Sequence, residues 1–376
     1  KMYFNLLLFC AFFVSLARTA AQTVQQHEHV HLWKITHSEM KKPSYLLGTT
    51  HVSWKILYNK FPKNIKSAIL ETDFVVTEAN SKPSSKLMEC VVKRGASKLL
   101  KNSELKKRIK KAYGLWIFVQ LCQFPSDWLF LGLGQIHLER QLKAFDFVAR
   151  NFFSTFDKKV KKIGESNRKE TRYLDKEEDL CNILPNVNDD QIFLLLEKKL
   201  ELIEAEKKDC GKNSIKDIVE SYKKGEITEE KYMNYYFGIN GSREEQLDEA
   251  YKQYTRGIIT FRNNKWINKM HEWMIDSNLN GKKSFFFAVG LMHIISAVDN
   301  LPKLLRERGY TVEEVPQTTQ ISRTVPKSSL SNKMEDEDDK QDYNEPQNEE
   351  PHNEEPSDKE DTFVKKLIGK IRSFGK

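Results

Sequence analysis

Two short apolar runs, one near each end of the chain, finish with the same arrangement of residues. The first ends at Gly48 with His51 three positions later, and the second ends at Gly290 with His293 three positions later. A short run of aromatic and branched residues that stops at a glycine is typical of a buried β-strand. Each histidine therefore follows a predicted strand, at the place where open α/β sheets bind their ligands.

The apolar pattern also predicts the elements around these two strands. The first run covers residues 44–47, and further strands are predicted over residues 32–35, 72–79 and 310–315. Helical spacing of apolar residues predicts helices over residues 61–71, 86–112, 136–152, 182–209, 244–279 and 298–308. Together these patterns predict an α/β (α+β) fold whose sheet is built from the N- and C-terminal segments, with a large helical insertion between them.

One stretch within the insertion, residues 115–133, is strongly apolar. It is interrupted by Pro125 and by polar residues such as Gln120 and Asp127. A membrane-spanning helix needs about 20 consecutive, predominantly apolar residues. The sequence therefore predicts a pair of buried helices here.

An acidic residue, Glu78, stands at the end of the predicted strand that follows His51 and one helix. A strand, a crossover helix and a parallel strand form a right-handed unit whose two strands end at the same edge of the sheet. With His293, this edge would hold two imidazoles and a carboxylate, which suits a borderline divalent metal. The alternative for each residue is structural, such as a histidine that caps a strand or an acid at a helix N-terminus.

Length and charge set limits on the class of protein. The chain has 376 residues and a formal net charge of +8, and its length suffices for one large domain with appendages or for two small ones. The lysines are spread through helical segments and no nucleic-acid-binding motif accompanies them. We therefore expect no nucleic-acid partner.

The N-terminal segment, residues 1–21, has the composition of a secretory signal peptide. Lys1 precedes an apolar core, and small residues follow Arg18. An N-terminal anchor is the alternative, although the apolar core is short for a membrane span. We expect residues 22–316 to form the globular domain of a protein of the secretory pathway, either secreted or attached to the outer cell surface.

The chain changes character after residue 316. Residues 317–361 include a tract dominated by Asp and Glu, which cannot build a core and is predicted to be disordered. Residues 362–376 place apolar side chains on one helical face with basic residues around it. Such a helix suits peripheral contact with a membrane surface or an acidic partner, and it is equally suited to folding back on the acidic tract.

Four cysteines follow the predicted signal segment, namely Cys90, Cys122, Cys181 and Cys210. In an oxidising compartment they allow two disulfides in three connectivities, and the sequence does not choose among these. Their spacing does not resemble a zinc site. One acceptor for N-glycosylation is present at Asn240.

These motifs together resemble the TraB/GumN family. The resemblance is carried by the two Gly-x-x-His strands, Glu78, Arg262-Asn263 and the segment 304–312. Within this family the chain is most similar to the animal TIKI metalloproteases, which the segments 181–206 and 217–226 also resemble. The likeness covers about residues 32–315.

The resemblance implies a fold like that of the erythromycin-esterase and ChaN-like group, and it implies a metal-dependent protease. TIKI proteins act in the secretory pathway, attached to membranes, where they remove residues from the N-terminus of Wnt proteins and so block Wnt signalling. Mn or Co supports their activity. A protein or peptide substrate, Wnt-like in kind, is therefore expected here.

The same resemblance suggests roles for the candidate residues of this chain. His51 and His293 would bind the metal, with Glu78 as a third ligand or as a general base. Arg262 would stabilise an oxyanion or hold a substrate carboxylate, and Asn263 would orient one of these groups.

Departures from the family pattern keep other functions open. The second motif usually reads Gly-Ala-Gly-His, whereas Leu291 and Met292 precede His293 here. Residues 165–175 look like an extra insertion, and the family's C-terminal hydrophobic anchor is replaced by the acidic tract and the basic helix. The alternatives are a non-catalytic metal- or ligand-binding protein of the same fold, and a protein whose tail binds a membrane or a partner.

Overall fold

The structure is a computed structural model of the chain. It describes residues 29–50, 52, 54–58, 60–79, 84–145, 155–184, 186–208, 214–237, 245–275, 283–316 and 321. The predicted signal segment, the basic amphipathic segment and all of residues 317–361 except Ile321 lie outside this part of the chain. So do His51, Cys210 and Asn240, and the expectations for all of these stay predictions.

The described strands form one sheet. They are β1 (Leu32–Thr36), β2 (Ser44–Thr49), β3 (Phe74–Thr77), β4 (Glu170–Tyr173), β5 (Phe285–Gly290) and β6 (Thr311–Glu314). Their order in the sheet is β4-β3-β5-β2-β1-β6. The strands β4, β3, β5 and β2 are parallel, and β1 is antiparallel to both of its neighbours. Apart from β4, which comes from the middle of the chain, strands from the two ends build the sheet together, which confirms the predicted fold class.

The described helices either pack on the faces of the sheet or form a helical block. They are α1 (Trp54–Leu57), α2 (Lys63–Glu71), α3 (Ser85–Lys93), α4 (Ser103–Tyr113), α5 (Leu115–Leu121), α6 (Ser126–Phe145), α7 (Phe156–Ser166), α8 (Glu177–Cys181), α9 (Asp189–Lys208), α10 (Ser214–Lys224), α11 (Glu229–Phe237), α12 (Glu245–Thr255), α13 (Phe261–Ile275), α14 (Met292–Ile295) and α15 (Leu301–Glu307). A 3₁₀-helix covers Lys98–Lys101, and a π-helical turn, Arg256–Thr260, joins α12 to α13.

The central strand β5 is buried on both faces, as parallel strands between helical layers are. Phe286 and Ala288 pack on one side with residues of α1, α2, α7 and α10. Phe285, Phe287 and Val289 pack on the other side with residues of α13 and α15. This alternation follows the period of two along a strand, and it places the sheet between two layers of helices.

The helical insertion has a core of its own. Apolar residues of α3, α4, α5, α6, α9 and α12 form a cluster that contains no residue of the sheet. The part of the helix predicted over residues 136–152 that the structure describes belongs to α6, which begins at Ser126 and is described as far as Phe145. The predicted pair of buried helices corresponds to α5 and the first half of α6, but α5 is buried on one side only. Leu115, Trp116 and Val119 are 63%, 44% and 49% exposed.

The stretch that resembles an insertion, residues 165–175, contributes a strand to the sheet. Its residues Glu170–Tyr173 form the edge strand β4, parallel to β3. Backbone N–H groups of Leu174 and Asp175 continue this ladder, because they donate to the carbonyl oxygens of Thr77 and Glu78 over 3.0 and 2.7 Å. Asp175 is thereby brought beside the end of β3.

A disulfide joins Cys90 in α3 to Cys181 at the end of α8. Of the two disulfides expected, this is the one that the described residues contain. Cys122 has a free thiol, and its Sγ–H donates to the carbonyl oxygen of Val119. None of the helices in the described ranges is both long and apolar enough to cross a bilayer.

Candidate active site

The register of the sheet brings Glu78 and His293 together. Thr77, the last residue of β3, lies opposite Ala288 of β5, so Glu78 lies beside the end of β5. His293 follows β5 in the short helix α14. Its Nε2 is 3.7 Å from Glu78 Oε1. Parallel strands thus place a carboxylate and an imidazole at one edge of the sheet, as the positions of these residues after their strands predict.

Gly290 lets the Glu78 carboxylate approach the backbone closely. The N–H of Gly290 donates to Glu78 Oε1 over 2.5 Å. A Cβ at this position would lie 3.0 Å from the same oxygen and 3.7 Å from Cδ2 of His293. The glycine of the second motif therefore provides space for the carboxylate, a common reason for glycine at a strand end.

Arg262 connects two carboxylates. It follows the π-helical turn, a feature that is frequent at functional sites. Its Nη2 donates to Glu78 Oε2 over 2.6 Å and to Asp175 Oδ2 over 2.7 Å. Burial opposes the charge of the guanidinium, but Glu78 and Asp175 outweigh burial and raise the pKa of Arg262 above its usual value. Arg262 is therefore a permanent cation at the centre of the cluster.

Asn263 determines which nitrogen of His293 carries the proton. Its Nδ2 donates to the carbonyl oxygens of His293 and Asp299 over 3.2 and 2.9 Å. Because the amide nitrogen is used in this way, the atom that faces His293 Nδ1 at 2.7 Å is the acceptor Oδ1. Nδ1 must then be protonated, so we assign the lone pair to Nε2. Arg262 Nη1, which can only donate, lies 3.3 Å from Nε2 and agrees with this assignment.

Two residues that the sequence did not reveal complete the cluster. Asp175 Oδ1 accepts a hydrogen bond from Trp266 Nε1 over 2.7 Å. The ring of Trp266 lies 4.4 Å from Cζ of Arg262 and 4.4 Å from the ring of His293. Asp175 escapes prediction because residues 165–175 resemble an insertion. The local sequence carries little signal for it, because the strand β4 that precedes Leu174 and Asp175 has little apolar content.

Asp175 is almost inaccessible to solvent, with a side chain that is 2% exposed. Burial and the neighbouring Glu78 raise the pKa of its carboxyl above the usual value, while Arg262 and Trp266 act in the opposite direction. With two carboxylates and one guanidinium, the ionised cluster has one negative charge in excess. That charge lies beside the lone pair of His293, which favours a bound cation.

The bulky residue of the second motif packs against the glycine of the first. Leu291 is 1% exposed, and a Cβ on Gly48 would lie 2.7 Å from its Cδ1. The N–H of Leu291 donates to the carbonyl oxygen of Thr49 over 2.7 Å. The departure from Gly-Ala-Gly-His therefore serves the packing of the two motifs on each other.

The end of β2 is held by side chains from two other helices. The hydroxyl of Thr49 is hydrogen-bonded to the carboxylate of Asp157 in α7, and Tyr222 in α10 donates to the carbonyl oxygen of Gly48 over 2.7 Å. The first Gly-x-x-His strand thus reaches the same edge as β3 and β5. His51 itself lies outside the described residues.

The imidazole of His293 and the carboxylate of Glu78 are suitable ligands for a divalent cation. His293 Nε2 carries a lone pair and Glu78 Oε1 lies 3.7 Å away, and imidazole and carboxylate are ligands that zinc-like and manganese-like ions accept. Within the ranges that the structure describes, no three His, Cys, Asp or Glu side chains are grouped closely enough to hold a metal. The metal site remains a prediction that includes His51.

The structure therefore brings four of the predicted residues together, namely Glu78, Arg262, Asn263 and His293. They come from the end of β3, the start of α13 and the segment after β5.

The sequence model of the TraB/PrgY/gumN family matches residues 31–314. These residues include every element of the sheet and all four of these site residues. The chain belongs to the TraB/PrgY/gumN family.

Relatives with curated descriptions are similar at low identity. A protein named metalloprotease TIKI homolog, from Amphimedon queenslandica, is 23% identical over 348 residues, which cover 81% of this chain and 65% of the relative. Metalloprotease TIKI1 from Homo sapiens is 22% identical over 322 residues, which cover 76% of this chain and 62% of the relative. The chain thus spans less than two thirds of the length of these relatives. No solved structure matches it.

Proposed function

We propose that the chain is a TIKI-like, metal-dependent hydrolase that cuts peptide bonds near the N-terminus of a protein substrate. The observation that carries the proposal is the lone pair on His293 Nε2 beside the carboxylate of Glu78. Hydrolytic metal sites are commonly built from such ligands. Family membership and the names of the two relatives support the same class of enzyme.

His293 and Glu78 would hold the cation, together with His51. The expected ion is Mn or Co, because the TIKI proteins that the sequence resembles use these metals. When bound, a divalent ion supplies Lewis-acid chemistry, in that it polarises the scissile carbonyl and lowers the pKa of water.

The other catalytic roles, namely proton transfer and stabilisation of negative charge, fall to side chains around His293. Glu78 either contributes an oxygen to the cation or accepts the proton of the attacking water. Arg262 donates hydrogen bonds to the oxygen on which negative charge develops, or to a substrate carboxylate. Asn263 keeps the proton of His293 on Nδ1, so that Nε2 stays unprotonated and can coordinate the cation through its lone pair.

The substrate and the setting are the finer parts of the proposal, and the resemblance to TIKI proteins supports them. The substrate would be the N-terminal segment of a Wnt-like protein, whose removal lowers Wnt signalling. The enzyme would act in the secretory pathway or at the outer cell surface, where residues 362–376 would contact the membrane peripherally.

The test is cleavage of a peptide that corresponds to a Wnt N-terminus, followed by mass spectrometry. We expect cleavage with Mn²⁺ or Co²⁺ and none after chelation. His293→Ala should lower kcat/KM more than about 100-fold, because even changes beyond the direct ligands commonly cost 10- to 100-fold.

His271→Ala is the matched control, since His271 lies on α13 and its Nδ1 is 3.0 Å from the hydroxyl of Tyr310. It should cleave like the wild type. If the wild type binds Mn²⁺ but cleaves no peptide, the non-catalytic binding protein is the correct alternative. Cleavage by His293→Ala at the normal rate would exclude the proposed site.

A further inference from the structure

We propose that Asp175 is a positioning residue, which gives Arg262 a partner away from His293 so that Glu78 and His293 can share a cation. This inference rests on the proposed function. It assigns a role in metal binding to a residue at the end of the edge strand β4, outside both Gly-x-x-His motifs.

The position of Arg262 raises the problem that Asp175 would solve. Nη1 of Arg262 lies 3.3 Å from His293 Nε2, and Nη2 lies 2.6 Å from Glu78 Oε2. The guanidinium thus contacts both groups that would bind the metal. Because like charges repel, a cation can bind Nε2 only if the guanidinium withdraws from it.

Asp175 is the partner toward which Arg262 can withdraw. Its two oxygens already face the guanidinium, with Oδ2 2.7 Å from Nη2 and Oδ1 3.5 Å from Nε. Trp266 holds this carboxylate in place, because its Nε1 donates to Oδ1, and its ring also supports the guanidinium. Arg262 therefore keeps a buried, charge-assisted partner even when Glu78 is engaged elsewhere.

The net charge of the cluster also favours a bound cation when Asp175 is present. Glu78 and Asp175 together exceed Arg262 by one negative charge, which a cation can compensate. If Asp175 is replaced by asparagine, that excess disappears and Glu78 is left as the sole carboxylate of the described cluster to pair with Arg262. Arg262 then competes directly with the metal for the carboxylate of Glu78.

The test is calorimetric titration of Mn²⁺ into the metal-free full chain, for the wild type and for Asp175→Asn. We expect Mn²⁺ to bind the variant about 10- to 100-fold more weakly. Asp127→Asn is the matched control, because Asp127 is another buried acid, 3% exposed, and is paired over 2.8 Å with Arg94 in the helical block. Both variants should unfold at lower temperature, whereas only Asp175→Asn should lose affinity.

A double-mutant cycle tests whether Asp175 acts through Arg262. In an Arg262→Gln background there is no guanidinium to hold, so Asp175→Asn should have little further effect on Mn²⁺ affinity. Equal affinity of Asp175→Asn and the wild type, or a full loss in both backgrounds, would overturn the positioning role while leaving the proposed function intact. A wild type that binds no cation would overturn the proposed function, and this inference with it.

Discussion

A side chain at position 290 would crowd the carboxylate of Glu78, since a Cβ there would lie 3.0 Å from Glu78 Oε1. We predict that Gly290→Ala moves the Glu78 carboxylate away from its backbone donor and lowers Mn²⁺ affinity about 10-fold, a typical cost of disturbing the support of a ligand. Isothermal calorimetry on the purified variant measures this change.

Gly134 provides the contrasting substitution. It lies in α6, where an added Cβ would meet none of the described neighbouring atoms within 4 Å, and alanine in a helix is more stable than glycine by about 0.5–1 kcal/mol. Gly134→Ala should therefore leave Mn²⁺ affinity unchanged and raise the unfolding midpoint slightly. Identical affinities for both alanine variants would contradict the role given to Gly290.

The residues of the site differ in how far the sequence reveals them. Glu78 and His293 follow apolar runs, so their meeting at one sheet edge could be predicted from position alone. The tautomer of His293 could not, because it depends on hydrogen bonds from Asn263 to two carbonyl groups. Asp175 and Trp266 were missed because what defines them is contact with Arg262, and no local pattern encodes that contact.

At the scale of the element, α9 carries a buried lysine. Lys199 is 3% exposed, and burial lowers its pKa to about 7, although Glu206 acts in the opposite direction. In the unfolded chain a lysine titrates near pH 10.4. Between these values the unfolded state binds more protons than the folded state, so Lys199 makes the fold less stable as pH falls from about 10.4 to about 7.

We predict that Lys199→Met removes this dependence, which amounts to at most about 1.4 kcal/mol per pH unit. Urea unfolding of the wild type and the variant at pH 7.5 and 9.5 measures it. The neighbour Lys198 is more exposed and pairs with Glu201 over 2.9 Å, so Lys198→Met should keep the pH dependence of the wild type. An unchanged slope in Lys199→Met would refute the assignment.

Elements with strong periodicity were predicted well, and those set by tertiary contacts were not. The hairpin of β1 and β2, the helix α2 and the strand β5 lie where their apolar patterns place them. The strand β4 has little apolar content, and it pairs because β3 offers it an edge. The π-helical turn at Arg256–Thr260 interrupts what the sequence presents as one continuous helix.

For the whole molecule, the disulfide between Cys90 and Cys181 closes a long loop, with 91 residues of sequence separation. A crosslink of this kind stabilises mainly by restricting the unfolded chain. We predict that Cys90→Ala/Cys181→Ala lowers the free energy of unfolding by about 2–5 kcal/mol, as measured by urea denaturation without reductant.

Cys122→Ala removes a thiol that is outside this disulfide and should leave that free energy nearly unchanged. A reducing agent should destabilise the wild type and the Cys122→Ala variant alike. If the reductant instead had no effect on the wild type, the disulfide would not contribute to stability in solution.

The architecture as a whole was predictable in outline. Strands at both chain ends and helices between them imply a sheet made from the two ends. The strand order was not predictable, because the insertion of β5 between β2 and β3 is decided by packing on both faces rather than by any local signal.

Synthesis on the ribosome delivers β2 and β3 long before β5, the strand that lies between them. Until β5 emerges, the nascent polypeptide carries open strand borders, and such borders pair readily with foreign chains. The hydrogen bond from the Gly290 N–H to Glu78 also cannot form until late, since residue 290 is translated long after Glu78. Premature termination upstream of Phe285 should therefore yield a product that aggregates and lacks the proposed catalytic cluster. Maturation of this protein should depend on chaperones that cover the incomplete sheet.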